Sequence, residues 1–260
     1  MNELQTSIFS KKLLKDQTIF ITGSSSGIGK ETAQLLKKLG ARLILISRSK
    51  ERLLSIKEFQ DPKNVVCLEM DLSQNHADLK IFDNLPTKWL PLTGVFHCAG
   101  QEILKPLPLV SIKEYEKLSA LSLHSVFLFS KAATKSKYFA DGSSLVFMSS
   151  AASIIGTPGM SQYASIKSAI NGASLSIAAE LAFRKIRVNT ILAGAIETPM
   201  HKRLTSKLSE KSLDEYRKKH LLGFGKPIDV ANMVVYLLSP ASKWITGCSF
   251  NVDGGYSSFK

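Results

Sequence analysis

Seven short apolar runs, rich in β-branched residues and bounded by glycine or polar residues, recur along the chain. Runs of this length are typical of strands that are buried on both faces of a sheet. Segments with helical periodicity lie between them, the longest at residues 111–137 and 162–184. Strands that alternate with helices predict an α/β fold with a doubly wound parallel sheet of about seven strands and helices on both faces. The predicted strands are residues 17–22, 42–47, 64–69, 93–98, 145–148, 186–192 and 248–252.

The chain of 260 residues is predicted to form one domain, 1–260, in which residues 1–16 are an N-terminal extension. No internal repeat, low-complexity segment or domain boundary interrupts the alternation of strands and helices. In a doubly wound sheet, ligands bind where the carboxyl ends of the strands meet. We therefore expect the functional residues of this protein at that edge.

A glycine-rich turn follows the first predicted strand and opens a helix that ends at Gly40. Free backbone N–H groups and the helix dipole at such a helix start attract phosphate groups. A strand, a glycine turn and a helix in this order predict a dinucleotide site of the Rossmann type. The predicted cofactor-binding residues of this turn are Gly23, Ser25, Ser26, Gly27, Ile28 and Gly29.

The end of the second predicted strand indicates which dinucleotide is bound. The NAD form of this motif has an acidic residue about 20 positions beyond the glycines, which holds the ribose 2′-hydroxyl. This chain has Ser47 and Arg48 there, with Arg52 close behind. A hydroxyl and a guanidinium suit a 2′-phosphate, so NADP(H) is the predicted cofactor. The alternative is that Arg48 merely starts a surface helix.

The third and fourth predicted strands also end in candidate cofactor contacts. A carboxylate at Asp71 could contact the adenine amine, or Ser73 could simply cap the next helix. The fourth strand ends in small residues, which let the backbone pass close to a ligand. The predicted contacts at these two strand ends are Asp71, Leu72, Cys98, Ala99 and Gly100.

A serine, a tyrosine and a lysine lie around the fifth predicted strand and the helix after it. Ser150 ends the strand, and Tyr163 and Lys167 lie four residues apart, on one face of a helix. A free phenol, with a pKa of about 10, is a poor acid or base at neutral pH. A lysine ammonium beside it is expected to lower that pKa. The three groups suit interconversion of a carbonyl and an alcohol, although tyrosine and lysine at this spacing also occur on solvated helix faces.

The amino-acid composition limits the classes of protein to which the chain can belong. The N-terminal segment has no continuous apolar run, and no stretch approaches the roughly 20 apolar residues of a membrane span. Cys67, Cys98 and Cys248 lack disulfide or zinc spacing and are predicted to be reduced and buried in a cytoplasmic protein. The formal net charge of +13 comes from lysines spread along the chain. That spread favours a solvated surface over binding to nucleic acid or an acidic membrane.

The histidines and the basic segment at residues 199–225 are further candidates. The five histidines show no paired spacing, so no metal site is predicted. His124 is interpreted as a structural residue beside a subunit contact, the alternative being that it faces the active site. Residues 199–225 are predicted to form a substrate lid. This lid is either an exposed helical segment or a segment that closes on an acidic substrate through Arg217 and Lys218.

Together these motifs resemble the short-chain dehydrogenase/reductase family, from about residue 17 to residue 256. Thr22-Gly23-x-x-x-Gly27-x-Gly29 is similar to the family's cofactor loop. Ser150, Tyr163 and Lys167 match its catalytic serine, tyrosine and lysine at the expected spacing. Further matching segments are Asp71-Leu72-Ser73, His97-Cys98-Ala99-Gly100, Arg187-Val188-Asn189, Ala193-Gly194 with Ile196 and Thr198, and Val252-Asp253-Gly254-Gly255.

The resemblance implies an oxidoreductase that transfers hydride between NADP(H) and a carbonyl or secondary alcohol. Tyr163 is implied as the general acid/base, Lys167 as its activator and a ligand of the nicotinamide ribose, and Ser150 as the residue that orients the carbonyl. The layout is most similar to the 3-oxoacyl-(acyl carrier protein) reductase branch, which implies a small-molecule or carrier-bound carbonyl substrate. The residues implied to lie against the nicotinamide carboxamide are Gly194, Ile196 and Thr198.

The resemblance also implies a homotetramer or homodimer built from the two long helical segments. Their apolar faces are expected to form the contact between subunits. The residues expected on these faces include Leu121, Val126, Phe127 and Phe129.

Four positions depart from the family pattern. Ser122 stands where the family has an asparagine, so it is implied as a proton-relay member with a shorter reach. His97 and Cys98 replace asparagines and are expected to make fewer cofactor or inter-strand hydrogen bonds, and Ala193 replaces a proline. Ser122 and the altered turn at His97 and Cys98 motivate one alternative, a cofactor-binding sensor or scaffold with weakened catalysis.

Overall fold

The computed structural model describes residues 9–74, 79–206 and 208–258, and these residues form one seven-stranded parallel sheet. The strands are β1 Thr18–Thr22, β2 Arg42–Ser47, β3 Val65–Glu69, β4 Leu92–His97, β5 Phe139–Ser150, β6 Arg187–Ala193 and β7 Ser249–Val252. Their order in the sheet is β3-β2-β1-β4-β5-β6-β7. The predicted fold is confirmed, and each predicted apolar run overlaps one strand.

The order of the strands reverses between β1 and β4, because the chain winds outward from β1 to β3 and then crosses back to β4. A crevice forms at such a switch point, outside the carboxyl ends of the strands. The alternation of side chains along β1 shows that both faces of the sheet are covered. The helices are α1 Gly27–Lys38, α2 Lys50–Leu54, α3 Lys80–Asp83, α4 Ile112–Ser119, α5 Ser125–Ala133, α6 Ser161–Leu181, α7 Pro199–Thr205, α8 Glu210–Lys218 and α9 Pro227–Leu238. Ile19 and Ile21 pack in one buried cluster with α1 and α9, and Phe20 packs in another with α5 and α6.

The helical segment predicted at residues 111–137 is not continuous. A π-helical turn, Ala120–His124, separates α4 from α5, and α5 ends at Ala133. One extra residue in a turn leaves the apolar pattern nearly unchanged, so the pattern does not reveal it. Such turns are rare and often lie at functional sites.

The expected subunit face is wrong at three of its four positions. Leu121, Val126 and Phe129 are buried within this chain, whereas Phe127 is 53% exposed. The predicted burial of the cysteines also fails at Cys248, which is exposed. A strand or helix pattern identifies apolar residues, but it does not show which apolar side chains the rest of the chain covers.

Within the described ranges, no helix is both long and apolar enough to cross a membrane. The assignment of the whole chain to one domain stays a prediction. Residues 1–8 of the predicted extension, His76, and Lys207 of the predicted lid lie outside the described residues.

Candidate active site

A cavity of about 840 Å³ lies along the carboxyl ends of the strands, where the fold predicts a ligand. Most of the predicted site residues line it, although three of them, Gly29, Asp71 and Ser122, do not. The predicted residues in its wall are Gly23, Ser25, Ser26, Gly27, Ile28, Ser47, Arg48, Leu72, Cys98, Ala99, Gly100, Ser150, Tyr163, Lys167, Gly194, Ile196 and Thr198.

The glycine turn forms one end of this cavity, and two of its glycines are required by close packing. Gly23 has a φ of +69°, and a Cβ there would lie 2.9 Å from the backbone of Ala99. A Cβ at Gly29 would lie 2.3 Å from the Gly23 carbonyl oxygen, so Gly29 shapes the turn from behind. The N-cap residue of α1, Ser26, makes no side-chain capping bond. The first N–H groups of α1 therefore remain available to an anion.

The end of β2 adds hydroxyl and guanidinium groups to the same end of the cavity. Ser47 donates a hydrogen bond to the Ser25 hydroxyl at 3.1 Å, and Arg48 and Arg52 line the cavity wall. Arg48 precedes helix α2, whose N-cap is Ser49. The guanidinium groups and the absence of a carboxylate at this strand end among the described lining residues fit a 2′-phosphate.

Asp71 lies outside the cavity wall because its carboxylate turns back onto its own loop. It accepts hydrogen bonds from the Ser73 N–H at 2.9 Å and the Ser73 hydroxyl at 2.7 Å. These bonds, led by the hydroxyl, hold the pKa of Asp71 below its usual value. The contact between Asp71 and adenine stays a prediction, whereas Leu72 lines the cavity.

Ser150, Tyr163 and Lys167 meet in the middle of the cavity. Ser150 is the last residue of β5, and the other two lie one turn apart near the start of α6. The Lys167 ammonium lies 5.6 Å from the centre of the Tyr163 ring and donates a hydrogen bond to the Met148 carbonyl at 2.8 Å. The end of β5 and the start of α6 thus bring a hydroxyl, a phenol and an ammonium together.

The pKa values of this group differ from the sequence-based expectation. Burial, followed by the charge of Glu102, raises the pKa of Tyr163, while hydrogen bonding with Ser150 lowers it. Burial lowers the pKa of Lys167 to about 8. The expected lowering of the phenol's pKa by Lys167 is therefore wrong for this structure. Removal from water and a nearby carboxylate outweigh an ammonium that faces a backbone carbonyl.

His97 joins β1 to the π-helical turn by two hydrogen bonds. The expectation that it makes fewer cofactor or inter-strand hydrogen bonds than an asparagine stays a prediction. The Thr22 hydroxyl accepts from the N–H groups of Cys98 and Ala99 and lies 2.8 Å from His97 Nδ1. A hydroxyl has one proton to give, so Thr22 donates it to Nδ1. Nε2 then carries the imidazole proton and donates it to the Ser122 carbonyl at 3.1 Å. Burial lowers the pKa of His97 to about 3, which keeps the ring neutral.

The Ser122 hydroxyl lies behind Gly100, not at the cavity wall. It is buried and has no hydrogen-bond partner within the part of the chain that the structure describes. A Cβ placed on Gly100 would lie 3.7 Å from both the Ser122 hydroxyl and the Lys167 ammonium. His124, two residues further on, is exposed. The π-helical turn therefore directs Ser122, and not His124, towards the lysine.

The predicted lid consists of α7 and α8, and its apolar and aromatic side chains form much of the far wall of the cavity. His220 stacks on Tyr256 with 4.3 Å between ring centroids, and its Nε2 accepts a hydrogen bond from the Ala195 N–H. Further ring contacts join Tyr216 to both His220 and Phe224. The lid is thus packed against the segment that follows β6.

Arg217 and Lys218, the residues named for an acidic substrate, contact other parts of the lid. The Arg217 guanidinium lies over the Phe224 ring at 4.6 Å, and Lys218 forms an ion pair with Asp214 at 2.6 Å. Neither lines the cavity, whereas Arg203 does. Closure of the lid on an acidic substrate through these two residues stays a hypothesis.

Sequence reasoning missed several side chains of the far wall. Glu102 lies two residues after Gly100. Its position just beyond a strand end was the one sequence feature that indicated a place in the cavity wall. The others come from loops and helices without a recognisable motif. They are Leu104, Thr157, Met160, Met200, Leu204, Tyr216 and Tyr256. Among the described residues, no three histidine, cysteine, aspartate or glutamate side chains come together in a way that could hold a metal ion.

Fold and cavity together define a dinucleotide-binding α/β oxidoreductase, and comparison with known proteins agrees. A family described as enoyl-(acyl carrier protein) reductase matches residues 23–257. The chain belongs to the short-chain dehydrogenase/reductase family, as the sequence motifs predicted.

Individual relatives match nearly the whole chain. A 3-oxoacyl-(acyl carrier protein) reductase of Thermotoga maritima is 33% identical over 247 residues, which cover 93% of this chain and 98% of the relative. An NADP-dependent (R)-specific alcohol dehydrogenase of Lentilactobacillus kefiri is 29% identical, over 94% of this chain and 98% of the relative. The crystal structure of a blue fluorescent protein from a metagenomic library, in complex with NADPH, has a TM-score of 0.85 at 25% identity. It covers 94% of this chain and 99% of that chain.

Proposed function

We propose that this protein is an NADP(H)-dependent oxidoreductase that interconverts a carbonyl and a secondary alcohol, with Tyr163 as general acid/base. The observation that carries the proposal is the meeting of Ser150, Tyr163 and Lys167 in a cavity that continues to the glycine turn and Arg48. The relative named as a 3-oxoacyl reductase and the relative named as an alcohol dehydrogenase both support this reaction class.

Each residue of the group has a separate task in the proposed reaction. The Ser150 hydroxyl holds the substrate oxygen by a hydrogen bond, and the Tyr163 phenol gives that oxygen a proton during reduction. Its raised pKa keeps the phenol protonated, as a general acid must be. The nicotinamide, when bound, supplies or accepts the hydride. Lys167 is placed to bind the nicotinamide ribose and to stabilise the phenolate that remains.

Ser122 is the proposed further member of the proton path. Its hydroxyl is buried without a partner among the described residues, and it shares with the Lys167 ammonium the space behind Gly100. A buried hydroxyl of this kind normally finds a partner, often an ordered water. We propose that a water held there by Ser122 passes protons to Lys167.

NADP(H) is the proposed cofactor. Its 2′-phosphate would bind Arg48 and the Ser47 hydroxyl, with Arg52 close by, and its pyrophosphate would bind the first N–H groups of α1. The printed names of an NADP-dependent relative and of a neighbour in complex with NADPH support this choice.

The substrate is proposed to be a small-molecule or carrier-bound carbonyl compound, because the far wall of the cavity is mainly apolar and the lid closes one side of it. A homotetramer or homodimer is part of the proposal. Exposed apolar side chains on α5, on α6 and just after α6 support a contact between subunits. Phe127, Leu175 and Phe183 are all more than half exposed. A cytoplasmic location stays a prediction.

The decisive experiment is NADPH oxidation against a panel of carbonyls: acetoacetyl thioesters, keto sugars, quinones and small diketones. We expect turnover with NADPH that falls at least about a hundredfold in Tyr163→Phe, since positioned acid/base groups contribute about 10²–10⁴. The variant should bind NADPH as tightly as the wild type. Equal activity in the two proteins would refute the role of Tyr163, and tight NADPH binding without any turnover would favour a sensor.

A further inference from the structure

His220 is a buried titratable residue that the proposed reaction does not use. It lies just after the lid helix α8, and only 3% of it is exposed. Its ring stacks on Tyr256, and the rings of Tyr216 and Phe224 meet it edge to face at 5.2 Å and 5.4 Å between centroids. These contacts hold the imidazole in one orientation.

Both nitrogens of this imidazole have a partner, and the two partners fix where its proton lies. Nδ1 lies 3.2 Å from the Tyr216 carbonyl oxygen, which can only accept a hydrogen bond. Nε2 lies 3.1 Å from the Ala195 nitrogen, whose N–H can only donate one. The ring therefore carries a single proton, on Nδ1, and is neutral. A protonated ring has an N–H on both nitrogens and cannot accept from Ala195.

The bond from Ala195 to His220 orients a peptide unit in the cavity wall. Ala195 lies there between Gly194 and Ile196, two of the residues implied to meet the nicotinamide carboxamide. Its carbonyl oxygen accepts a hydrogen bond from the Gly225 N–H at 3.0 Å, which holds the peptide unit shared with Ile196. The Ala195 N–H and the Gly194 carbonyl belong to the preceding planar unit. The imidazole thus sets the orientation of that unit.

The neighbouring N–H groups of this segment are held by the backbone. The Gly194 N–H donates to the Val252 carbonyl at 3.1 Å, and the Glu197 N–H donates to the Gly225 carbonyl at 2.8 Å. Backbone carbonyls do not titrate. The bond from Ala195 differs because its acceptor is a side chain that protonation converts into a donor.

The surroundings of His220 keep its ring neutral near pH 7. Burial has the largest effect and holds the pKa of His220 below its ordinary value of 6.5, while the Tyr216 carbonyl and the charge of Asp253 raise it. The Asp253 carboxylate accepts hydrogen bonds from the N–H groups of Gly255 and Ser257. The charged or titratable residues on the elements packed around the ring are Tyr216 and Arg217 on α8, His201 on α7, Glu197 after β6, and Asp253 and Tyr256 after β7.

We propose that His220, in its neutral form, is a positioning residue that ties the lid to the Ala195 N–H and thereby holds the cavity wall in place against the nicotinamide. It acts through Ala195. The proposal rests on the proposed function, because it takes Gly194, Ile196 and Thr198 as the residues that meet the carboxamide. The nicotinamide half of the cofactor therefore depends on His220, whereas the adenosine half, at the glycine turn, does not.

Two ligands separate the halves of the cofactor. NADP⁺ and 2′-phospho-ADP-ribose share the adenosine, the 2′-phosphate and the pyrophosphate, but NADP⁺ alone carries nicotinamide. Calorimetric titration of each gives the ratio of their affinities, the nicotinamide ratio. At pH 8, His220→Phe, which keeps a ring but has no acceptor, should lower this ratio about two- to tenfold, the range for one neutral hydrogen bond. Its affinity for 2′-phospho-ADP-ribose should be unchanged.

A pH series tests whether the neutral ring is required. The wild-type nicotinamide ratio should be constant above pH 7 and fall as the pH is lowered from 6.5 to 5, because protonation removes the acceptor. The 2′-phosphate titrates in the same range, but it is common to both ligands and cancels in the ratio. His220→Gln keeps an acceptor oxygen that does not titrate there. It should retain most of the ratio at pH 8 and show no fall.

Two further histidine variants are the controls. His201→Gln removes the titratable ring on α7 and should keep the fall, because His220 is still present. His124→Gln removes an exposed histidine outside the cavity and should match the wild type at every pH. A fall that disappears in His201→Gln, or one that persists in His220→Gln, overturns the proposal.

The remaining outcomes separate positioning from a purely structural role. An unchanged nicotinamide ratio in His220→Phe overturns the proposal, and so does an equal loss of affinity for both ligands. A wild-type ratio that is constant down to pH 5 overturns it as well. If His220→Phe does not fold, the comparison of the wild type with His220→Gln across the pH series decides.

These binding measurements do not depend on turnover. If no carbonyl is reduced but the nicotinamide ratio behaves as expected, the proposed reaction fails and the role of His220 stands. If carbonyls are reduced while the ratio is the same in the wild type and His220→Phe, the reaction stands and the role of His220 fails.

Discussion

The two ends of the cavity are built in different ways. The cofactor end is formed mainly by the backbone of one continuous unit, β1, the glycine turn and the start of α1. The substrate end is formed by side chains from several separate segments, among them the loop after β4, the end of β5, the start of α6, the lid and the segment after β7. The first end can be recognised from a short stretch of sequence, whereas the second exists only after the chain has folded.

Their electrostatics differ as well. The cofactor end presents N–H groups, Arg48 and Arg52, which suit phosphates. The substrate end contains one lining carboxylic acid, Glu102, and two phenols, Tyr163 and Tyr216, whose pKa values are raised by burial. Variants at one end should therefore change cofactor binding, and variants at the other should change turnover or substrate choice.

Ser150→Ala is expected to give the largest effect, a loss of turnover without a loss of cofactor binding. Loss of the hydroxyl that is proposed to hold the substrate oxygen should lower kcat by about 10²–10³, the range for removal of one such hydrogen bond. NADPH affinity should stay unchanged, because the cofactor end is intact. Steady-state kinetics and NADPH titration measure the two effects. Ser150→Thr keeps a hydroxyl at this strand end and should retain most of the activity. A large loss of NADPH affinity in Ser150→Ala would mean that the two ends are not independent.

The second-largest expected effect is a pH-dependent change in stability when Glu102 is substituted. Its folded-state pKa is about 7, raised from 4.5 by burial, so the folded protein binds the proton more tightly than the unfolded chain does. The stability that this group contributes is present below pH 4.5 and is lost as the pH rises through 7. Glu102→Gln should therefore gain stability relative to the wild type between pH 4.5 and 8, on the order of 3 kcal/mol.

Denaturant titrations of both proteins at several pH values measure this difference in the free energy of unfolding. Glu180→Gln is the matched control, because it removes an exposed carboxylate. It should run parallel to the wild type. A constant difference between Glu102→Gln and the wild type across this range would show that Glu102 is not buried enough to shift its pKa.

A smaller effect, confined to the cofactor end, is expected from Arg48→Ser. Loss of the hydrogen bond and charge at the 2′-phosphate should weaken NADPH binding about tenfold or somewhat more. NADH binding should be unaffected, since NADH lacks that phosphate. Arg217→Ser removes the same charge from outside the cavity and should leave both affinities unchanged. A wild-type preference for NADH would contradict the interpretation of Arg48.

The strands show how much of the fold can be predicted from the pattern of apolar residues. Each of the seven predicted runs overlaps a strand, and β2 has the predicted bounds. Strands buried on both faces must be apolar along most of their length, so they are visible without knowledge of their partners. The same reason explains why the carboxyl ends of these strands, and with them Gly23, Gly100 and Ser150, were placed correctly.

The predictions that failed all depend on contacts between distant segments. The π-helical turn and the burial of Val126 and Phe129 have no counterpart in local spacing. The raised pKa of Tyr163 belongs to the same group, because it depends on burial and on a carboxylate that lies 61 positions earlier in the chain.

The amino-acid sequence by itself determined the α/β fold, the family, the dinucleotide turn and the Ser150, Tyr163 and Lys167 set, because each is written in neighbouring residues with a strict spacing. Only the tertiary structure decided what surrounds that set. It placed Glu102 and the lid residue Tyr216 in the wall of the cavity that also contains Tyr163, and it placed Ser122 in the space behind Gly100. Local backbone geometry constrains residues a few positions apart, whereas the environment of a buried charge depends on every segment that folding packs against it.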